Sequence, residues 1–282
     1  MAKRLLKIID NQFGHGKSFG TGDLQISPTN FDWYRGDDKV SDLIVFSESG
    51  ISSVDNYTEE IKVAFLLESP LIDRQSYINI SNPEIYNKFD MVLTFDRNLI
   101  KINPDKFKYY PFGGCWIYEE DKNIYNKIKN ISIVSSAKRN TEGHMLRHSI
   151  VDKFRPSIDG LYGRGYQFVQ NKIEALKDYR YSIVIENDNC DTMFSEKIID
   201  CFMTGTIPIY WGCKGKIGDF FNTDGIIQFN NENEFSDIIS KCTEEYYLDN
   251  IHAIKENFEL AKQYCIPEDY MWEKYFKNLV KK

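Results

Sequence analysis

The chain has 282 residues, of which 42% are hydrophobic and 27% charged. That suits one large or two small globular domains with cores of their own. Aromatic residues at 15% exclude disorder as the main state. The net charge of −7, from 35 Lys and Arg against 42 Asp and Glu, excludes a general nucleic-acid coat, which needs a basic face. No apolar run approaches the roughly 20 residues of a membrane span.

The opening MAKRLLKIIDNQFG is positive, but Lys7 and Asp10 break its apolar stretch and no small-residue cleavage site follows. It reads as neither anchor nor signal peptide, and the chain as cytoplasmic. Gly14–Ser18 (GHGKS) is similar to a phosphate loop, yet Asn11 stands where that pattern needs Gly and no clear strand precedes it. Residues 10–60, rich in Gly, Asp, Ser and Asn, offer one strand, Asp42–Phe46. Three apolar runs follow as buried strands: Lys62–Leu67, which exits at Glu68-Ser69-Pro70, then Phe89–Phe95 and Phe107–Pro111.

The polar, lysine-rich Lys122–Asn130 marks a boundary. Beyond it the pattern predicts a strand at Ile131–Ser135, helices at Met145–Phe154 and Asn171–Tyr179, and a strand at Tyr181–Ile185. A helix at Ser195–Thr204, stopped by Gly205, comes next, then strands at Thr206–Trp211 and Gly225–Phe229. Phe235–Cys242, Tyr247–Tyr264 and Pro267–Leu279 read as helices. The expected division is 1–126, 127–262 and a C-terminal helix at 263–282. Two such series imply an α/β protein of two doubly wound parallel-sheet domains. Ligands bind these folds where strands end, which singles out Glu68, Glu186, Asn187 and Trp211.

The six cysteines form no CxxC and no metal spacing, and read as reduced, buried small hydrophobes. His144 and His148 lie four apart on one helix without an evident third ligand. Gly163-Arg164-Gly165 reads either as a tight turn carrying a surface Arg or as part of a binding loop.

The informative stretch runs from Tyr181 to Phe229. Its helix opens on Ser195-Glu196-Lys197, where free N–H groups and the helix dipole favour an anion. A Lys there opposes the dipole, so either a negatively charged ligand is close or Glu196 and Lys197 form a solvated pair. Glu186-Asn187, then Ser195-Glu196-Lys197-Ile198-Ile199-Asp200 with Glu196 nine residues after Asn187, then Gly205-Thr206-Ile207-Pro208-Ile209-Tyr210-Trp211-Gly212 closely resemble the donor-binding motif of the α-1,3-fucosyltransferases, glycosyltransferase family 10.

The resemblance implies a GT-B architecture: two Rossmann-like domains facing a cleft, the first holding the acceptor, the second the nucleotide sugar. It implies an inverting transfer from GDP-fucose to a hydroxyl of a glycan acceptor. Asn187, Ser195, Glu196 and Lys197 are then donor contacts, with Glu196 accepting from the ribose and Lys197 pairing with the diphosphate. Arg147 matches the place of the family's diphosphate-binding arginine, and Arg164 joins the donor set. Glu68 stands where the family carries its proposed catalytic base; the other reading is a strand-end Glu capping the next segment. No DxD pair stands at a strand end, and Asp188–Asp191 reads as loop, so no metal and no cofactor beyond the donor substrate are expected. Another GDP-sugar, such as a GDP-heptose, is the alternative donor. A non-catalytic nucleotide-sugar or glycan-binding protein on the same fold is the alternative of another class.

Overall fold

The computed structural model describes residues 3–10 and 16–280. The chain divides into two compact units: Met1–Gly114 with Asp191–Met193 and Ile266–Lys282, and Cys115–Cys190 with Phe194–Cys265.

In chain order the first unit has β1 (Arg4–Ile9), β2 (Phe31–Tyr34), β3 (Leu43–Ser47), β4 (Ile61–Phe65), α1 (Arg74–Ser81), α2 (Pro83–Tyr86), β5 (Met91–Thr94), α3 (Arg97–Ile102) and β6 (Phe107–Tyr109). Among the described residues these strands form one sheet in the order β2-β1-β3-β4-β5-β6, every pair parallel. A parallel sheet is covered on both faces, so its strands read as apolar runs; in β3 all five residues are buried.

The second unit has β7 (Lys129–Val134), α4 (Glu142–Phe154), β8 (Gly160–Tyr162), β9 (Tyr179–Ile185), α5 (Glu196–Met203), β10 (Ile207–Trp211), β11 (Ile227–Gln228), α6 (Phe235–Lys241), α7 (Glu244–Asp249) and α8 (Ile251–Ala261). Its parallel sheet runs β11-β10-β9-β7-β8. The last helix, α9 (Pro267–Lys274), belongs to the first unit, where Met271 and the following Phe276 pack with Leu6, Phe31 and Phe65.

Three expectations need correction. β1 falls where no strand is expected, and β2 lies in the stretch 10–60, which offered only Asp42–Phe46. The helix expected at Asn171–Tyr179 is a single 3-10 turn, Lys172–Ala175, and Tyr179 already opens β9. Leu176 leaves the helical region at φ −126°, and Lys127, buried beneath it, donates to the carbonyls of Leu176 (3.3 Å) and Lys177 (3.1 Å). The helix expected at Tyr247–Tyr264 is broken at Asn250, whose side chain donates back to Tyr246 O at 2.9 Å.

The first two residues of Gly14–Ser18 lie outside the described residues. Ser18 donates to the Glu268 carboxylate at 2.5 Å, which also accepts from Phe19 N at 2.7 Å and Trp33 Nε1 at 3.1 Å. Glu268 is fully buried, and among the described residues three donors and no cation hold it. Glu268→Leu orphans the Phe19 and Trp33 donors and is expected to cost about 2–3 kcal/mol in urea unfolding. Glu268→Gln is expected to cost under about 1 kcal/mol, because the Ser18 hydroxyl can turn and accept from the new amide.

Candidate functional site

In the second sheet β8 lies outside β7 and the chain then crosses to β9 on β7's other side. The carboxyl ends of β7 and β9 are therefore a topological switch point, where open α/β sheets bind ligands. Two helices start there, α4 after β7 and α5 after β9.

Glu186, the first residue after β9, is completely buried. It accepts from Ser195 N at 3.0 Å, Ser195 Oγ at 2.6 Å and Lys197 Nζ at 3.2 Å, and Tyr210 OH stands 3.5 Å away. Ser195 is the N-cap of α5. One carboxylate thus fastens the cap of the helix to the end of the strand. Lys197 Nζ also lies 2.9 Å from Ser195 Oγ and 3.3 Å from Glu196 Oε1. The Glu196–Lys197 pair is largely buried, not solvated. Burial pushes the Glu196 carboxyl up, but Lys197 and Lys172 outweigh it and hold it below the usual range.

Arg147, on α4, is 6% exposed and is not a surface residue. Its Nε and Nη2 donate to Ile185 O at 3.0 and 2.6 Å, and Nη2 also donates to Asn187 Oδ1 at 2.7 Å. That bond fixes the Asn187 amide with its oxygen inward, so its N–H₂ donors are left for a ligand. Arg147 Nη1 has no partner among the described residues and keeps two N–H donors. Burial lowers the guanidinium's pKa and Glu186 and Glu196 offset part of this, so it stays charged. The approach of α4 to β9 needs Gly143, where a Cβ would stand 1.8 Å from Glu186 O.

The structure therefore brings Arg147, Asn187, Ser195, Glu196 and Lys197 together. Arg164 is exposed in a turn between Gly163 and Gly165, at φ +111° and +100°, with no contact to that group among the described residues. Tyr210 and Trp211 are buried in β10, and Trp211 Nε1 donates to Asn230 O at 3.1 Å, so neither ring is a stacking surface. His148 commits both ring nitrogens, to Tyr166 OH and Lys138 O, each at 3.1 Å. The six cysteines are free, and all but Cys190 are buried.

In the first unit Glu68 follows β4, half-buried. Its N–H donates to Glu48 Oε1 at 2.8 Å and its carbonyl accepts from Tyr77 OH at 2.9 Å. The next helix, α1, is capped by Asp73, not by Glu68.

Two residues outside the expected donor set stand beside it. Glu186 is singled out by the sequence as a strand end within the motif, but its role as the anchor of Ser195 and Lys197 is seen only in the fold. His144, one turn before Arg147, is 6% exposed, and its buried Nδ1 has no hydrogen-bond partner among the described residues. Burial, with Arg147, Lys138 and Lys197 nearby, pushes its imidazole down to about 4, so it is neutral at pH 7.

No family model matches the chain. Over 94 residues, 33% of the chain, it is 32% identical to the α-(1,3)-fucosyltransferase FucT of Helicobacter pylori, and the match spans 18% of that protein's length. An α1,3-fucosyltransferase crystal structure with GDP matches 95% of the chain and 93% of its own length at TM-score 0.55 and 17% identity. One with GDP-fucose matches at 0.52, also 17% identical, over 93% and 90%. Anabaena Alr3699/HepE in complex with UDP and glucose matches at 0.56 and 10% identity, over 98% and 100%. The fold is that of the GT-B glycosyltransferases, as the resemblance implied, and the chain is fucosyltransferase-like in sequence over the matched stretch. Among the described residues no helix is long and apolar enough to cross a membrane.

Proposed function

We propose that the chain is a glycosyltransferase that moves fucose from GDP-fucose to a hydroxyl of a glycan, inverting the anomeric carbon in one base-assisted displacement. The observation that carries this reading is the convergence of Arg147, in the second turn of α4, and Lys197, in the first turn of α5, on Glu186-Asn187 at the switch point of the second sheet. It agrees with the local similarity to a fucosyltransferase.

The geometry suits the chemistry. A nucleoside diphosphate gains negative charge as the glycosidic bond breaks, and fixed positive groups at that oxygen stabilise the transition state. Arg147 Nη1, Lys197 and the start of α5 supply them, so we propose that no metal is essential. Glu196, held ionised, accepts from the ribose hydroxyls. Glu68 takes the proton of the acceptor hydroxyl as it attacks. The donor site reports on nucleotide and diphosphate more than on the sugar, so another GDP-sugar is the competing donor.

Calorimetric titration with GDP, UDP, CDP and ADP, then with GDP-fucose and GDP-mannose, tests the reading. The expected result is a preference for GDP, with GDP-fucose tighter still. Equal binding of both GDP-sugars moves the donor to another sugar, and no preference for GDP overturns the assignment. Within this series Lys197→Ala is expected to weaken GDP by about tenfold and GMP by less. Equal weakening counts against a diphosphate role.

A further inference from the structure

Glu48, the first residue after β3, combines features that a structural carboxylate does not share. It is a non-glycine residue at φ +49° and is 1% exposed. Its Oε1 accepts the N–H groups of both Leu67 (2.5 Å) and Glu68 (2.8 Å). Its Oε2 is buried and accepts no hydrogen bond among the described residues. The carboxyl stands within hydrogen-bonding reach of Asp73, which already accepts from Ser76 N at 3.2 Å and Ser76 Oγ at 2.6 Å as the cap of α1. Two carboxyl groups meet stably only with a proton between them.

We propose that Glu48 is a positioning residue: a neutral carboxylic acid that accepts at Oε1 from the β4 exit, donates at Oε2 to Asp73, and so fixes where the Glu68 carboxylate stands. This rests on the reading of Glu68 as the base. Burial, then the Asp73 contact, pushes Glu48 up to about 9. Burial would raise Asp73 too, but the bonds from Glu48 and Ser76 outweigh it and hold Asp73 below its ordinary value. The charged groups that meet Glu48 are Asp73 at the α1 cap and, through its backbone, Glu68 at the β4 exit. β3 carries no titratable side chain, and Tyr77 of α1 turns its hydroxyl to Glu68 O. Loss of the Glu48 proton sets two carboxylates against each other beneath the base.

The test compares wild type, Glu48→Gln and Glu48→Ala for turnover of GDP-fucose, to water or to an acceptor, from about pH 6 to about pH 10. Wild-type turnover is expected to fall as pH rises through about 9. Glu48→Gln, which keeps one acceptor and one donor, is expected to keep kcat and to lack that fall. Glu48→Ala is expected to lose roughly 10- to 100-fold in kcat, with donor KM and GDP affinity unchanged. The wild-type alkaline fall persisting in Glu48→Gln, or full kcat in Glu48→Ala, overturns the proposal.

Thermal unfolding reads the acid without any substrate. The folded value lies above the ordinary 4.5, so stability is full below that pH and is lost as pH rises toward about 9. Wild type should therefore lose about 2 °C per pH unit relative to Glu48→Gln across that window. Parallel curves overturn the neutral acid. A wild type that turns over no GDP-sugar while the unfolding difference holds overturns the transferase reading, and the positioning role with it.

Discussion

Glu68→Gln is expected to lower turnover of a GDP-sugar by about 10²–10⁴-fold and to leave GDP affinity unchanged. Two contacts that hold Glu68 in place run to its backbone: N–H to Glu48 Oε1 and carbonyl from Tyr77 OH. The substitution touches neither, so the segment after β4 keeps its path. The residues assigned to the donor all lie in the other compact unit, so calorimetry with GDP should give the wild-type curve. An amide cannot accept a proton from the attacking hydroxyl, and only that step is removed. Initial rates with saturating donor separate the outcomes. A variant as fast as wild type removes Glu68 from the mechanism. A protein that binds GDP-sugars equally well with either residue and turns over none is a binding protein on this fold.

Four of the five strands of the second series were legible because their signals are local; β8, three residues opening on a glycine, shows no period and was not. TIPIYW is a continuous apolar run after a helix stopped by Gly205, and β10 covers Ile207–Trp211. β1 was hidden by Lys7, a charge inside an apolar run. In the fold Lys7 is 3% exposed, 3.3 Å from Glu59 Oε1, and donates to Asp37 O at 2.9 Å. Partners some thirty and fifty residues away make that burial tolerable, and no window over the strand contains them. β2 has four residues, one of them Asp32, too few to show a period.

The site divides the same way. Asn187, Ser195, Glu196 and Lys197 came from one contiguous motif. The part played by Glu186 depends on Ser195 and Lys197 folding back onto it, and that of His144 on an orphaned nitrogen beside three cations. Glu48 carried no signal at all, because its partners, the Leu67 and Glu68 N–H groups and Asp73, come from two later elements.

Arg147→Met is expected to lower kcat/KM for the donor by about 10²–10³-fold while weakening GDP by only about tenfold. The difference between the two numbers is the substance of the prediction. GDP and the intact donor meet a guanidinium already in place, but the charge on the departing diphosphate grows only as the bond breaks, and the interaction grows with it. Arg147→Lys should recover little. The guanidinium donates at once to Ile185 O and Asn187 Oδ1 and still has Nη1 left. A single ammonium at the end of a flexible stem cannot hold both oxygens and present a further donor. Losing the bond to Asn187 also frees that amide to turn, which withdraws a second donor from the same place. Steady-state kinetics beside calorimetry decide the matter, with circular dichroism to check that the end of β9 survives without its partner. Equal losses in kcat/KM and GDP affinity would make Arg147 a ground-state binder only, and full recovery in Arg147→Lys would mean that charge alone matters, not the fork that spans Ile185 and Asn187.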